Sequence, residues 1–315
     1  MYVLSIAKTI IVYSFPLITL IGLTTNLISF VIFSRKTFEN TIFSTYFRFL
    51  LLFQTLNLFV PIDKMIELNF SLSFSQISNF TCKLRFVFAY FNYSNAAWFL
   101  AIISIDRYLS ISFSNRFNFM KRSSVRLFIS FFAIGFNSLY YSPTWLFYLK
   151  KTQLNLSANE TVIRYICKNP GIWFDFMDLF QSVLIPFFIM ILFSSFTIKK
   201  VFNSRKLIAM NRSILANSKE NKSNKNKSSK DVKFSVITII NVISFLLMNL
   251  PFAFISIIDD YTNLFENLIN LSKFLYSLAF LLIYLNLTST FFVNYFVNSM
   301  FKKEVFDLFK YSNKK

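Results

Sequence analysis

The 315-residue sequence has no histidine, two cysteines, three glycines and six prolines. Without histidine there can be no Ser-His-Asp triad, no Cys-His dyad and no imidazole ligand for zinc, and two cysteines do not complete a zinc site alone. Three glycines can hardly build a phosphate-cradling loop. The chain is therefore read as a non-enzyme that needs no cofactor. Charge is sparse too: 15% of residues are charged, against 55% hydrophobic and 20% aromatic. A soluble domain this apolar would expose large sticky patches, whereas a bilayer accepts such surface.

What is present is a series of long apolar runs. Seven segments of the length needed to cross a bilayer fall at about 9–33, 43–62, 82–110, 125–148, 174–198, 234–258 and 272–298. The first, flanked by Lys8 alone and followed by no small-residue cleavage motif, is a span rather than a signal peptide. The reading is an all-α membrane protein. It has a short outer N-terminus (1–8), a seven-helix bundle (9–298), and an interfacial helix and tail (299–315).

The formal charge of +19 is not evenly spread. With the N-terminus outside, 24 of the 33 basic residues fall in inner segments, as the positive-inside rule requires. Lysines between apolar runs point to anionic inner-leaflet lipid as a partner rather than nucleic acid. The inner loop at about 203–231 is basic, polar and of low complexity, and reads as disordered. Its Ser218, Ser223, Ser228 and Ser229 are either phosphate acceptors or part of a plain solvated linker. Sequons at Asn69, Asn79, Asn155 and Asn159 lie in outer loops and are glycosylation candidates, while those at Asn92 and Asn286 lie inside spans. Apolar residues at 301, 305, 308 and 309 predict an amphipathic helix along the membrane surface.

The third span carries chemically different ends. Cys82 opens it, Asp106-Arg107-Tyr108 closes it, and the 25 residues between Cys82 and Arg107 suffice to cross the membrane. Two separated cysteines in a membrane protein most simply form one disulfide on the oxidising side. The plainer alternative for Arg107 is a simple interfacial anchor.

Taken together these features resemble the rhodopsin-like (class A) G-protein-coupled receptors over about residues 15–310, most closely divergent invertebrate peptide receptors. Further matches are Gly22 and Asn26 in span one, Pro143 in span four, Pro186 in span five, Phe245 and Pro251 in span six, and Tyr295 followed by Phe301. The resemblance implies a Cys82–Cys167 disulfide and a heterotrimeric G protein meeting Asp106, Arg107 and Tyr108. It implies hinge or switch roles for Asn26, Gln54, Pro186, Phe245, Asn249, Pro251 and Tyr295. It also implies a plasma-membrane location with the C-terminus cytoplasmic.

The departures are specific. Gln54 stands where an acidic residue is usual, with Ala96 and Phe291 at the positions of its polar partners, so a carboxylate sodium site is not expected. Met248-Asn249-Leu250-Pro251 replaces Cys-Trp-x-Pro, and Phe291-Phe292-Val-Asn-Tyr295 replaces Asn-Pro-x-x-Tyr. Ser194 stands at a usual tyrosine, and the span-four tryptophan is missing near Ile134.

Ala89 occupies the position of the amine-binding aspartate, which argues against an amine ligand. Arg85, Phe86, Tyr90, Tyr93, Asp178 and Phe252 remain as ligand candidates: aromatic walls with one cation and one anion, suited to a peptide or a small organic ligand, of which a peptide is the first choice. The bland alternative is helix packing with an internal Arg85–Asp178 pair. Other functional readings are a chemosensory receptor for small molecules and a seven-span protein that binds without coupling. A transporter is disfavoured because the mid-depths hold almost no ionisable groups.

Overall fold

The computed structural model describes residues 2–39, 42–70, 77–113, 118–142, 145, 148–157, 160–168, 172–214, 236–255 and 269–312. Among them are six helices long and apolar enough to cross a membrane. The 18-residue helix Ser123–Tyr140 joins them as span four, shorter and interrupted by Arg126 and Asn137. In hydrocarbon each backbone polar group must bond within its own segment, which is why the apolar runs are all helical.

Proline sets most of the differences from the expected boundaries. Span two is the helix Ile42–Asn57, a turn at Leu58 and Phe59, and a second helix Val60–Phe70, so it runs past the expected residue 62. Pro61 would clash with the carbonyl of Asn57 in a continuous helix but fits the first turn of a new one. Span four stops at Tyr140 rather than 148, three residues short of Pro143, which itself lies outside the described residues. Span five runs through Ile172–Asp178, a π-helical segment Leu179–Leu184 and Ile185–Ile214. The wide turn falls where Pro186 lacks the N–H that Ser182 would receive in a regular helix.

Span five also corrects the loop expected at about 203–231. Residues 203–214, expected to be disordered, continue the helix, and 215–235 lie outside the described residues. Likewise span one begins at Tyr2, so most of the expected outer N-terminus is helical. Spans three (Asn79–Ser112) and seven (Ile269–Val297) and the described part of span six (236–255) lie close to their expected ranges. The interfacial helix is Ser299–Ser312, capped by Asn298, whose Oδ1 accepts from the N–H groups of Met300 (3.1 Å) and Phe301 (3.3 Å).

The sequence reading had no strands. The loop after span four holds an antiparallel hairpin, β1 (Tyr148–Ser157) and β2 (Glu160–Lys168), with Cys167 opposite Leu149. Val162, Ile163 and Ile166 on β2 supply the β-branched character that favours a strand.

The bundle core runs along spans one, two, three and six to the interfacial helix, with Phe99 stacked between Phe49 (5.3 Å) and Phe53 (5.8 Å). At Gly22 a Cβ would come within 2.6 Å of both Leu58 and Thr288, so a side chain there would prise span one from spans two and seven.

Candidate functional site: span three and its partners

Span three is positioned by its ends. A capping box at Ser78 and Thr81 starts the helix. One turn in, Cys82 is fully buried and engaged in a disulfide. Arg85 pairs with Asp63 on the second helix of span two, Val60–Phe70, at 2.8 Å. Asp178 instead accepts a 2.8 Å hydrogen bond from the Tyr141 hydroxyl. The alternative of an internal Arg85–Asp178 pair is thus replaced by two separate pairings. Span two supplies Asp63 because its helix restarts at Val60 and extends beyond the predicted end.

The aromatic candidates fall into two groups. On one side Phe86 stacks on Tyr90 (5.7 Å), and Tyr90 meets Tyr141 (6.4 Å) and Phe174 (5.2 Å, edge-on). On the other, Phe252 of span six packs on Tyr276 (5.3 Å) and Phe280 (5.9 Å) of span seven, and Phe280 on Tyr284 (4.8 Å). Tyr93 lies deeper, donating to Asn249 Oδ1 at 2.7 Å. Asn249 is buried and donates in turn to the Phe245 carbonyl at 2.6 Å, two residues before Pro251. A ligand candidate and a switch candidate are therefore directly bonded. Asp63, Tyr141, Phe174, Tyr276, Phe280 and Tyr284 were missed. Only the last three had a signal, their i, i+4, i+8 spacing on one helix face.

At mid-depth the structure holds a buried polar cluster that sequence reasoning did not anticipate. Asn137 Oδ1 accepts from Ser94 Oγ (3.0 Å) and Gln181 Nε2 (2.9 Å), while its Nδ2 donates to Asn95 Oδ1 (3.2 Å). Trp98 Nε1 donates to the Gln181 carbonyl at 3.1 Å. Spans three, four and five are thereby joined at the π-helical segment. Gln54, expected among apolar neighbours, has a partner in Thr290, whose hydroxyl lies 3.1 Å from the amide nitrogen and 3.2 Å from its oxygen. Asn26 Nδ2 donates to the Leu287 carbonyl at 3.3 Å.

At the C-terminal end of span three Arg107 and Asp106 are both buried and paired at 2.7 Å. The pair offsets part of the cost of burying either charge. Arg126 Nε donates to Thr45 Oγ1 at 3.1 Å. The buried hydroxyl of Tyr46 and Oδ1 of Asp106 have no hydrogen-bond partner among the described residues. Tyr108 packs on Phe193 (5.5 Å) and Phe196 (5.6 Å) of span five. Pro186 is buried, Pro251 half-buried, and the Tyr295 ring lies under Lys302 Nζ at 5.5 Å.

Among the sequons, Asn79 is exposed at the first turn of span three, whereas Asn92 and Asn286 are buried in the bundle. Asn69 and Asn155 lie on described backbone without described side chains, and Asn159 lies outside the described residues.

Seven spans around a central third helix, with charge pairs at its two ends and polar contacts between, define a polytopic membrane bundle of receptor type. Residues 11–289 match the family described as 7 transmembrane receptor (rhodopsin family), and the chain belongs to that family. Its members are receptors rather than enzymes. No curated protein matches the chain.

Proposed function

We propose that this receptor binds an extracellular peptide at the outer end of the bundle and activates a heterotrimeric G protein through Asp106, Arg107 and Tyr108. The N-terminus is outside and the C-terminus in the cytoplasm of a plasma-membrane protein. The observation that carries this reading is the Tyr93–Asn249 hydrogen bond. It links the ligand-facing side of span three to the span-six turn before Pro251, where a missing backbone bond makes a hinge. A ligand that displaces the Tyr93 hydroxyl frees Asn249 and relaxes that turn, so occupancy outside becomes a change of span six inside.

The two aromatic groups and the flanking Arg85–Asp63 and Tyr141–Asp178 pairings suit a peptide bearing aromatic and polar groups. The outer end is held by a Cys82–Cys167 disulfide. This is supported by the bonded state of Cys82 and by the chain's having one other cysteine, on β2. Exposed Lys302 and Lys303 on the interfacial helix favour anionic inner-leaflet lipid. Exposed Asn79 is the glycan candidate with the most direct support. The neutral Gln54–Thr290 pair fits a receptor without a carboxylate sodium site.

The test is nucleotide exchange or second-messenger output in cells exposed to a neuropeptide library. Arg107→Ala at unchanged surface expression is expected to abolish the response, and a full response in that variant would refute the coupling role.

A further inference from the structure

We infer that Thr37 is a phosphorylation site whose modification releases the interfacial helix from the bundle. The inference rests on the proposed orientation, which puts Thr37 on the cytoplasmic side. The helix Ser299–Ser312 is held at two adjoining points. One is apolar: Phe301, fully buried, packs on Phe33 (5.5 Å), Phe38 (6.5 Å) and Phe291 (5.8 Å). The other is a polar clasp on Glu304. Arg35 donates to its Oε2 at 2.8 Å and the Thr37 hydroxyl to its Oε1 at 2.6 Å. These two bonds hold the Glu304 carboxyl below its ordinary value.

The clasp is built so that one modification reverses it. Thr37 is exposed on the short helix Lys36–Glu39. Arg35 and Lys36 precede it and apolar Phe38 follows, a setting suited to a serine/threonine kinase that selects basic residues upstream. In the transfer the Thr37 oxygen bonds to the γ-phosphorus of ATP, the bond to ADP breaks, and the hydroxyl proton leaves to the kinase base. A donor has then become a group of charge about −2 with acceptor oxygens only.

Glu304 loses the Thr37 bond outright and faces a like charge. It also loses Arg35, because a phosphate two residues away competes for the same guanidinium with more charge and more oxygens. Lys36 and Lys303 are at hand to favour the new anion. Phe38, next in the chain and wholly buried against Phe33 and Phe301, carries the displacement into the apolar contact. Since the hydroxyl must leave Glu304 before a kinase can use it, phosphorylation captures the open clasp.

The experiment uses the full-length chain in nanodiscs, the catalytic domain of protein kinase C with ATP, and peptide mass spectrometry to assign phosphate by residue. Phosphate is expected on Thr37, several-fold faster in Glu304→Ala, whose clasp is already open. A second readout is the distance between nitroxides at Ser34→Cys and Lys310→Cys. No cysteine is free among the described residues, so the labels take only the introduced thiols.

Kinase treatment is expected to lengthen and broaden that distance, and to do neither in Thr37→Ala. No phosphate at Thr37 even in Glu304→Ala overturns the site. Stoichiometric phosphate with an unchanged distance overturns the release. Orientation is read separately from an N-terminal epitope on intact cells: an epitope inside removes the cytoplasmic premise, whatever the kinase does in nanodiscs.

Discussion

Spans three and four lie side by side and bury opposite kinds of surface. Span three is buried chiefly between Asn92 and Arg107, with Ala97, Phe99, Leu100, Ala101 and Ile103 as well as Asn92, Ser94 and Asn95 turned inward. Span four buries Arg126, Ser130 and Asn137, while Phe128, Phe131, Phe132 and Leu139 are exposed. In water this would be inside out. In lipid a phenylalanine gains nothing by leaving the acyl chains, so no hydrophobic force presses span four to its neighbours. Its attachment joins these polar side chains to a few apolar contacts, Phe131 on Phe49 (6.0 Å), Phe136 on Trp98 (6.2 Å) and the partly buried Ile129 and Ile134, whereas span three is packed from several directions.

This contrast can be broken experimentally. The largest loss is expected at the anchored end of span three. With the proposed Cys82–Cys167 bond, Cys82→Ser opens the cross-link of a long loop, for which chain-entropy models allow about 4–5 kcal/mol as an upper limit. It should sharply lower surface expression, and Cys167→Ser should match it, with the double variant little worse. Strongly additive losses would show that the two cysteines do not act as one bond.

Next comes Asn137→Leu, which leaves the Ser94, Asn95 and Gln181 side chains to rearrange in an apolar setting. A loss of roughly 1–3 kcal/mol is expected, read as a lower melting temperature of the purified receptor. A variant as stable as the parent would mean that span four is held by something other than its polar face.

At the membrane edge the polar rule is titratable. The Glu304 carboxyl is held below its ordinary value of 4.5 by Thr37 and Arg35. A depressed folded-state value means that the clasp contributes fully above about 4.5 and is lost as pH falls through the lower, folded value. Acidification should therefore lengthen the Ser34–Lys310 label distance, and Glu304→Gln should be insensitive. Loss of docking on raising the pH would contradict the sign.

The smallest effect is expected at the lipid face, where Phe132→Leu should change stability by no more than about 0.5 kcal/mol. A large loss would show that this face is covered by protein.

The seven spans were legible because bilayer thickness imposes a length on apolar runs, which composition alone reveals. Their ends were less so. Pro61, Pro143 and Pro186 were visible, but whether a proline restarts, ends or widens a helix depends on how its neighbours reconnect. Asp106-Arg107-Tyr108 was legible as a motif, and the adjacent pairing of Asp106 with Arg107 followed from sequence proximity. The pairings Arg85–Asp63, Gln54–Thr290 and Asn137–Gln181 join residues far apart in sequence, and no local periodicity encodes which helix faces meet. The hairpin was hidden because its lysine- and asparagine-bearing strands resemble a polar loop.

The exposed phenylalanines of span four bear on how such a receptor changes over generations. A ring that meets only acyl chains can be exchanged for leucine or isoleucine at little cost, so selection barely polices it. A mutational bias that favours certain codons is free to accumulate there, and the 45 phenylalanines of this chain fit such drift. Overall sequence identity then fades first on the lipid-facing surface. Kinship should be sought in the inward polar residues, where a substitution has consequences.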